Sequence, residues 1–482
     1  MITHHADRDV PGTTSGRRGA LSRRFNRGRT RGGALATPFA CPGRPPRIAG
    51  VLDGNHSRSA GLRLFVIGAV MAAVGPVVGT SGSHAGGFAI REQSAQYQGM
   101  SFAGSASGGA LSSMFWNPAA TAILPGFNTE SSYTLIIPDV EVTVTQAPPV
   151  LAGFAPSTDI ADLAITGSSY AAYQLTGYNP NMFVGVAMNS PFGLATKPDN
   201  LAYQGSVLGR TTTLFTFNVN PTLAYRIAPG IIIGAGVQVQ YAYGKLKFAT
   251  GLPDTPSTYF KGDDVAFGGT AGVLWQPAIG TNIGLGWRSQ LTQTLEGDFG
   301  TVGVGQIDAK AKLHLPDVVT LSLTQALRPD WRLLGTVEWS NWSRFKDLRV
   351  QIPGPDPVIE AGWDDGWMFA LGLEYDHSPW LTLRTGAAYE ISPIQSARER
   401  IITIPDSDRV WLSAGATYKW SELTTVDLAY THIFFDDAPF DRTSLSGIEL
   451  RGNSDASTDI LTVGLKMKWG GWEPLEPLPP LK

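Results

Sequence analysis

From about residue 127 to residue 469, apolar and polar positions alternate with a period of two, the pattern of strands with one apolar face. Between Ile231 and Tyr243 the odd positions are Ile231, Ile233, Ala235, Val237, Val239, Tyr241 and Tyr243, while the even ones include Gly234, Gly236, Gln238 and Gln240. Val410, Leu412, Ala414, Ala416, Tyr418 and Trp420 alternate in the same way with Trp411, Ser413, Gly415, Thr417 and Lys419. Near the end of the chain, Leu461, Val463, Leu465, Met467 and Trp469 oppose Thr462, Gly464, Lys466 and Lys468. Each segment has one greasy face and one small or polar face. No uninterrupted run of about 20 apolar residues suits a spanning helix.

Period two fits a soluble sandwich as well as a barrel, and the connections separate the two. Strands are predicted at 128–145, 166–177, 181–192, 212–227, 230–248, 264–276, 281–294, 308–327, 331–346, 364–376, 380–391, 408–420, 423–435 and 457–469, fourteen in all. Short turns such as Tyr178-Asn179-Pro180, Ala228-Pro229, Arg328-Pro329-Asp330, Ser378-Pro379 and Ser421-Glu422 are expected to alternate strictly with long loops. An even strand count with short turns at one end and long loops at the other marks an outer-membrane barrel. Trp275, Trp331, Trp380, Trp420 and Trp469, with Tyr225 and Tyr375, sit beside short turns or at the chain's end, as an aromatic girdle at a membrane interface requires. The opposite strand face carries Arg288, Arg332, Glu338, Glu374, Arg384, Glu390, Arg409 and Asp427. Bare charge facing lipid is costly, so these groups are expected to point into a polar lumen and to pair there.

Composition narrows the class further. Gly makes up 56 of 482 residues, against a usual ~7%, and charged residues make up 16%, against a usual ~25%. With 10% aromatics and a mean hydropathy near zero, this is not the composition of a helical membrane protein. Charge is also segregated: residues 1–63 hold twelve Arg and three Asp, a net of +9, so the remainder carries −3 − 9 = −12. After Arg58 and Arg63 the uncharged stretch Leu64 to Ala85 contains an apolar run and ends on Ser83-His84-Ala85, whose small residues suit signal-peptidase cleavage between Ala85 and Gly86. A transmembrane anchor is the alternative, but the run is short and broken by Gly75-Pro76. Residues 1–55 are Arg-, Gly- and Pro-rich with too little apolar content to fold, and a start codon assigned too far upstream accounts for them better than a nucleic-acid-binding arm. The sole cysteine, Cys41, falls in this part, so the mature chain lacks disulfides, Cys-ligated metal and Cys nucleophiles.

Residues 87–119 follow the export signal and form no strand of useful length. They read Gly87-Phe88-Ala89-Ile90-Arg91-Glu92-Gln93-Ser94, then Gly99 to Gly104, then Met114-Phe115-Trp116-Asn117-Pro118-Ala119. This series resembles the start of the mature FadL/TodX family of outer-membrane proteins, whose N-terminal hatch carries a similar Gly-Phe, Glu-Gln-Ser, Gly and Ala-Gly pattern and a closing Asn-Pro-Ala. Further similarity runs through Asn189-Ser190-Pro191-Phe192-Gly193-Leu194-Ala195-Thr196, Leu315-Pro316-Asp317 and Ile404-Pro405-Asp406-Ser407-Asp408-Arg409-Val410-Trp411-Leu412-Ser413. The resemblance covers most of residues 87–469. It implies an all-β transmembrane antiparallel barrel of about fourteen strands with an N-terminal plug in the lumen, divided as 1–85 extension and signal, 86–126 plug, 127–469 barrel and 470–482 Pro-rich tail. That tail departs from the family's habit of ending on an aromatic residue read by the assembly machinery.

The resemblance also implies passage of hydrophobic compounds, long-chain fatty acids in one branch and aromatic hydrocarbons in another. Capture in a plugged barrel would be followed by lateral release through a kinked strand. The gate would combine Asn117, Pro118 and Ala119 of the plug with Asn189, Pro191, Phe192 and Gly193 of the third strand. Pro191 lacks an N–H for the ladder, so it either kinks that strand or ends it at its loop, and Gly193 permits a backbone excursion. A diffusion porin for small polar solutes is the alternative, which the hatch-like segment disfavours. No Gly-x-Ser-x-Gly occurs, and His314, His377 and His432 fall in different hairpins, so no enzyme, catalytic residue, metal or cofactor is expected. Expected partners are hydrophobic small molecules, outer-membrane lipid and lipopolysaccharide, and the barrel-assembly machinery, with no nucleic acid; a monomer in a Gram-negative outer membrane is expected.

Overall fold

The computed structural model describes residues 86–469; residues 1–85, with Cys41 and the cleavage site expected after Ala85, and residues 470–482 lie outside the described residues. Fourteen antiparallel strands form the wall. They are β1 Phe127–Gln146, β2 Ala164–Gln174, β3 Met182–Asn189 resumed at Gly193–Thr196, β4 Thr211–Ala228, β5 Ile231–Ala249, β6 Ser257–Ala278 and β7 Thr281–Arg288 resumed at Leu291–Thr301. Then come β8 Gly305–Leu315 resumed at Val318–Arg328, β9 Trp331–Ser340, β10 Gly366–Ser378, β11 Leu381–Ile391, β12 Arg409–Lys419, β13 Thr424–Phe435 and β14 Glu449–Trp469. Each pairs with the next, and β14 returns to β1 with Phe127 opposite Trp469 and Val144 opposite Gly452. Closure gives every strand a neighbour on each side and removes the two free edges of an open sheet.

The alternation divides the wall as the sequence predicts. Ile233, Val237 and Tyr241 of β5 are exposed on the outer face, whereas Gln238 and Gln240 between them are buried. Val410 and Leu412 of β12 and Leu461, Val463 and Leu465 of β14 are likewise exposed, while Trp411 is buried within. At the short-turn end the aromatics meet in pairs: Trp331 stacks on Tyr375 at 4.5 Å, Trp380 meets Tyr418 at 5.7 Å, and Phe127 meets Trp469 at 6.1 Å.

The connections depart from strict alternation at two places. A long loop was expected between β7 and β8, but both strands continue outward and join through residues 302–304 alone, and β5 and β6 join through residues 250–256. Polar and Gly-rich sequence there, such as Gly297, Gly300 and Gly305, lowers strand propensity, yet cross-strand pairs including Lys261–Asp298 and Lys310–Glu296 support the extended hairpins.

Residues 86–126 contain one short helix, α1 Ala95–Gln98, and two 3₁₀ turns at Leu111–Phe115 and Pro118–Ala122. Ser94 caps α1 by accepting from the Tyr97 N–H, and Asn117 caps the second turn by accepting from Ala119 N–H, with Pro118 at the position where its missing donor is harmless. The segment packs on inward-facing groups around the wall. Gln98 donates to Thr431 at 2.6 Å, Ser101 and Ser413 share a hydrogen bond at 2.7 Å, and the amides of Gly104 and Ala106 donate to Thr336 and Ser322. It comes so near β7 that glycine is required there: a Cβ at Gly286 would lie 2.8 Å from the Trp116 carbonyl carbon, and one at Gly284 2.9 Å from Ser107 Cα. The inward glycines read as merely small are thus the bed on which residues 86–126 lie.

Candidate functional site

The third strand breaks at the predicted residues. Asn189 pairs with Asn218 and Gly193 with Phe215, so four steps along β3 face three along β4, and one residue is left over as a bulge. On its other edge β3 pairs with β2 only from Gln174–Phe183 to Ser169–Met188. Residues 164–168 of β2 stay paired with β1 and have no ladder partner in β3. The seam between β2 and β3 is therefore open beside Ser190–Phe192.

The N-terminal segment supplies the partner that the broken strand lacks. Ile90 N–H donates to the Pro191 carbonyl at 2.8 Å, Gly193 N–H donates to the Phe88 carbonyl at 2.9 Å, and Ala89 bridges Phe192. Phe192 N–H donates to Thr216 Oγ1, and the Gln93 carbonyl accepts from both Ser168 and Tyr170 of β2 at 2.8 Å. Residues 88–93 thus bind both sides of the seam. Gly193 has no positive φ, so the backbone excursion expected there does not use a left-handed residue. It serves as a strand residue whose amide reaches Phe88.

Asn117, Pro118 and Ala119 lie elsewhere. The Asn117 amide donates to the Ala106 carbonyl and to the Val273 carbonyl of β6, each at 2.9 Å, and Pro118 and Ala119 rest on Gly234 of β5. They fasten the end of the segment to the wall and do not touch Pro191. The preceding Phe115 and Trp116 do approach it, lining one small cavity with Pro191, Phe192 and Arg288.

Above the break lies an apolar cavity with about 60 Å³ of free volume, bounded by Phe88, Leu194, Leu214, Leu246, Phe260, Leu295, Leu313, Phe345 and Ile401. Phe88 also meets Trp342, Trp363 and Phe192 at ring distances of 4.7, 5.8 and 6.3 Å. Sequence reasoning missed this aromatic cluster, because the strand predicted at 331–346 takes in Trp342 and Phe345, whereas the strand stops at Ser340 and a 3₁₀ turn at Trp342–Arg344 follows; Trp363 lies in the loop beyond. The available sign was the lapse of the alternation after Ser340, where Asn341 and Ser343 follow Val337 and Trp339 on the apolar face.

Charge ties the segment to the wall below. Arg91 pairs with Glu338 of β9 and Glu390 of β11, and Glu390 also forms an ion pair with Arg409 Nε at 3.1 Å and accepts from Trp411 Nε1 at 3.0 Å. Burial alone would lower the Arg91 guanidinium, but Glu338 and Glu390 raise it well above its ordinary value. Burial pushes the neighbouring Glu92 carboxyl up to about 7. No group of three or more His, Cys, Asp or Glu suited to hold a metal occurs among the described residues.

Comparison with known proteins matches residues 76–469 to the family described as outer membrane protein transport protein (OMPP1/FadL/TodX). The chain is similar to the long-chain fatty acid transport protein of Escherichia coli O6:H1, at 28% identity over 72% of this chain and 86% of that one. The Salmonella typhi protein of that name is 27% identical over 72% and 87%. Among solved structures, a Pseudomonas aeruginosa FadL homologue superposes with a TM-score of 0.72 at 19% identity, covering 80% of this chain and 100% of that one. The Pseudomonas putida toluene transporter TodX gives 0.60 at 15% identity, covering 81% and 99%. These superpositions show a shared fold.

Proposed function

The chain belongs to the OMPP1/FadL/TodX family of outer membrane transport proteins, and from that footing we propose that it carries long-chain fatty acids through the wall of its barrel. The observation that carries this reading is the apolar cavity at Phe88 beside an open β2–β3 seam. A polar lipopolysaccharide surface excludes hydrophobic solutes and a watery pore offers them no binding. A greasy pocket that opens sideways avoids both obstacles.

In this reading residues 86–126 act as the plug, and residues 1–85 are removed on export to leave Gly86 as the first residue, which N-terminal sequencing of purified protein checks. A fatty acid enters from the outer loops and displaces Phe88 within the aromatic cluster, because a free volume of about 60 Å³ is far below the ~300 Å³ at which ligand pockets begin. Displacing Phe88 pulls on its carbonyl, the acceptor for Gly193 N–H, and so loosens the pairing that braces the broken strand. The chain then leaves through the seam into the bilayer. Asn117, Pro118 and Ala119 act as the fixed anchor about which the plug's first residues move.

Uptake of labelled oleate by cells that lack their own transporters tests the proposal: expression of this protein should restore uptake, and no restoration by correctly folded protein would refute it. A second reading, aromatic-hydrocarbon uptake, is favoured by Phe88, Phe192, Trp342, Phe345 and Trp363 around the pocket. Toluene uptake without oleate uptake in the same cells would select it.

A further inference from the structure

Of the eight inward charges that the sequence places on the lumen face, seven form ion pairs. Arg332 and Arg384 flank Glu374, Arg384 and Lys466 flank Asp427, and Glu338, Glu390 and Arg409 belong to the Arg91 network. Arg288 has none among the described residues. It is 7% exposed, and its Nε and Nη2 are buried without a hydrogen-bond partner. Glu338, the carboxylate that acts on it, is already engaged, Oε1 with Arg91 and Oε2 with Thr320. One face of the guanidinium lies over the Phe115 ring at 4.5 Å.

A buried charge without a counter-ion is strongly unfavourable, so keeping one requires a compensating role. Nε and Nη2 share one edge of the guanidinium, the edge that holds a carboxylate through two parallel N–H···O bonds. Arg288 borders the small cavity between Ile90, Phe115, Pro191 and Phe192, which has about 40 Å³ of free volume, enough for a carboxyl head and not for a chain. Two residues along each of the two paired segments, from Ile90 to Phe88 and from Phe192 to Leu194, the chain lines the larger apolar cavity. A polar head and a greasy tail thus have adjacent places on either side of the Ala89–Phe192 bridge.

We propose that Arg288 is the counter-ion for the carboxylate of a fatty acid whose chain occupies the apolar cavity at Phe88. The inference rests on the proposed function and deepens it by requiring an anionic head, which an aromatic hydrocarbon lacks.

Equilibrium dialysis of the purified full-length protein in detergent, at pH 8, with labelled oleate, oleyl alcohol and toluene tests it. Charge-assisted hydrogen bonds predict oleate binding about ten- to a hundredfold tighter than the alcohol of equal length. In Arg288→Met that ratio should fall to near one while alcohol binding is kept, and Arg288→Lys, with charge but no fork, should fall between. Equal binding of acid and alcohol by the wild type, or a preference that survives in Arg288→Met, overturns the inference and leaves the transport reading standing. Binding of none of the three probes overturns both. If Arg288→Met loses the fast gel mobility of a folded barrel, the wild-type ratio and the Lys variant decide.

Discussion

Replacing Gly284 and Gly286 together by Ala should lift residues 86–126 off the wall. Both glycines face inward from β7, beneath Ala106–Ser107 and Trp116–Asn117. A Cβ at Gly286 would stand 2.8 Å from the Trp116 carbonyl carbon, with the oxygen nearer still, whereas carbon atoms rest at about 3.5–4.0 Å. The segment must therefore move by at least about 0.7 Å at that point. The neighbouring atoms are backbone, which cannot turn aside as a side-chain tip can. Overpacking costs about 1–3 kcal/mol per site, and moving the Ala106 carbonyl weakens the bond it accepts from Asn117, about 1 kcal/mol more. The sum is on the order of 3–7 kcal/mol. Gly269→Ala and Gly335→Ala are the controls. Their nearest neighbours would lie 3.9 and 3.8 Å from the new carbon, so they should be neutral or stabilising by about 0.4–1 kcal/mol through the unfolded chain. Single-channel conductance in planar bilayers reads displacement of the segment, and heat-modifiable gel mobility reads stability of the barrel. The double variant should conduct more than wild type and lose fast mobility at a lower temperature. If it behaves like the controls, the segment does not rest on β7 as described.

Three further outcomes are expected. Arg91→Met and Glu390→Gln should each cost about 3–5 kcal/mol by breaking a buried ion pair, and the double variant should cost less than their sum, since both act on one network; additive losses in thermal melts would contradict this. Leu371→Lys, on the exposed face between Trp367 and Tyr375, should cost about 2–4 kcal/mol when the barrel folds into bilayers but little in detergent, and equal effects in the two media would argue against a lipid-facing surface. Glu92→Gln should stabilise the protein at pH 8 and leave it unchanged at pH 4. The folded carboxyl titrates at about 7 against an ordinary 4.5, so Glu92's contribution is complete below 4.5 and is lost as pH rises through 7, on the order of 3 kcal/mol; a melting difference that does not depend on pH would contradict the assignment.

The wall was legible because a lipid-facing strand repeats a simple rule. Ile233, Val237 and Tyr241 must be greasy every second residue, and the girdle tryptophans must recur at one level. Where the strands leave the apolar zone the rule lapses, and the β5–β6 and β7–β8 hairpins were read as loops for that reason. Pro191 marked the break in β3 because a missing N–H is a local property. Its partner Phe88 lies far away in sequence, and the resemblance pointed instead to Asn117, Pro118 and Ala119, which rest on β5 and β6. The seven paired inward charges and Arg288, which has no ion-pair partner among the described residues, could not be told apart from sequence, because pairing depends on which inward positions meet across the lumen.

Passage through the β2–β3 seam is tested most directly by removing the break. Deleting Pro191 makes three steps on β3 face three on β4, which lets the strand run straight and close on β2. Oleate uptake by cells carrying the deletion, with gel mobility confirming a folded barrel, is the measurement. The account predicts that uptake falls to the level of cells without the protein. Normal uptake through a folded, unbroken β3 would contradict it.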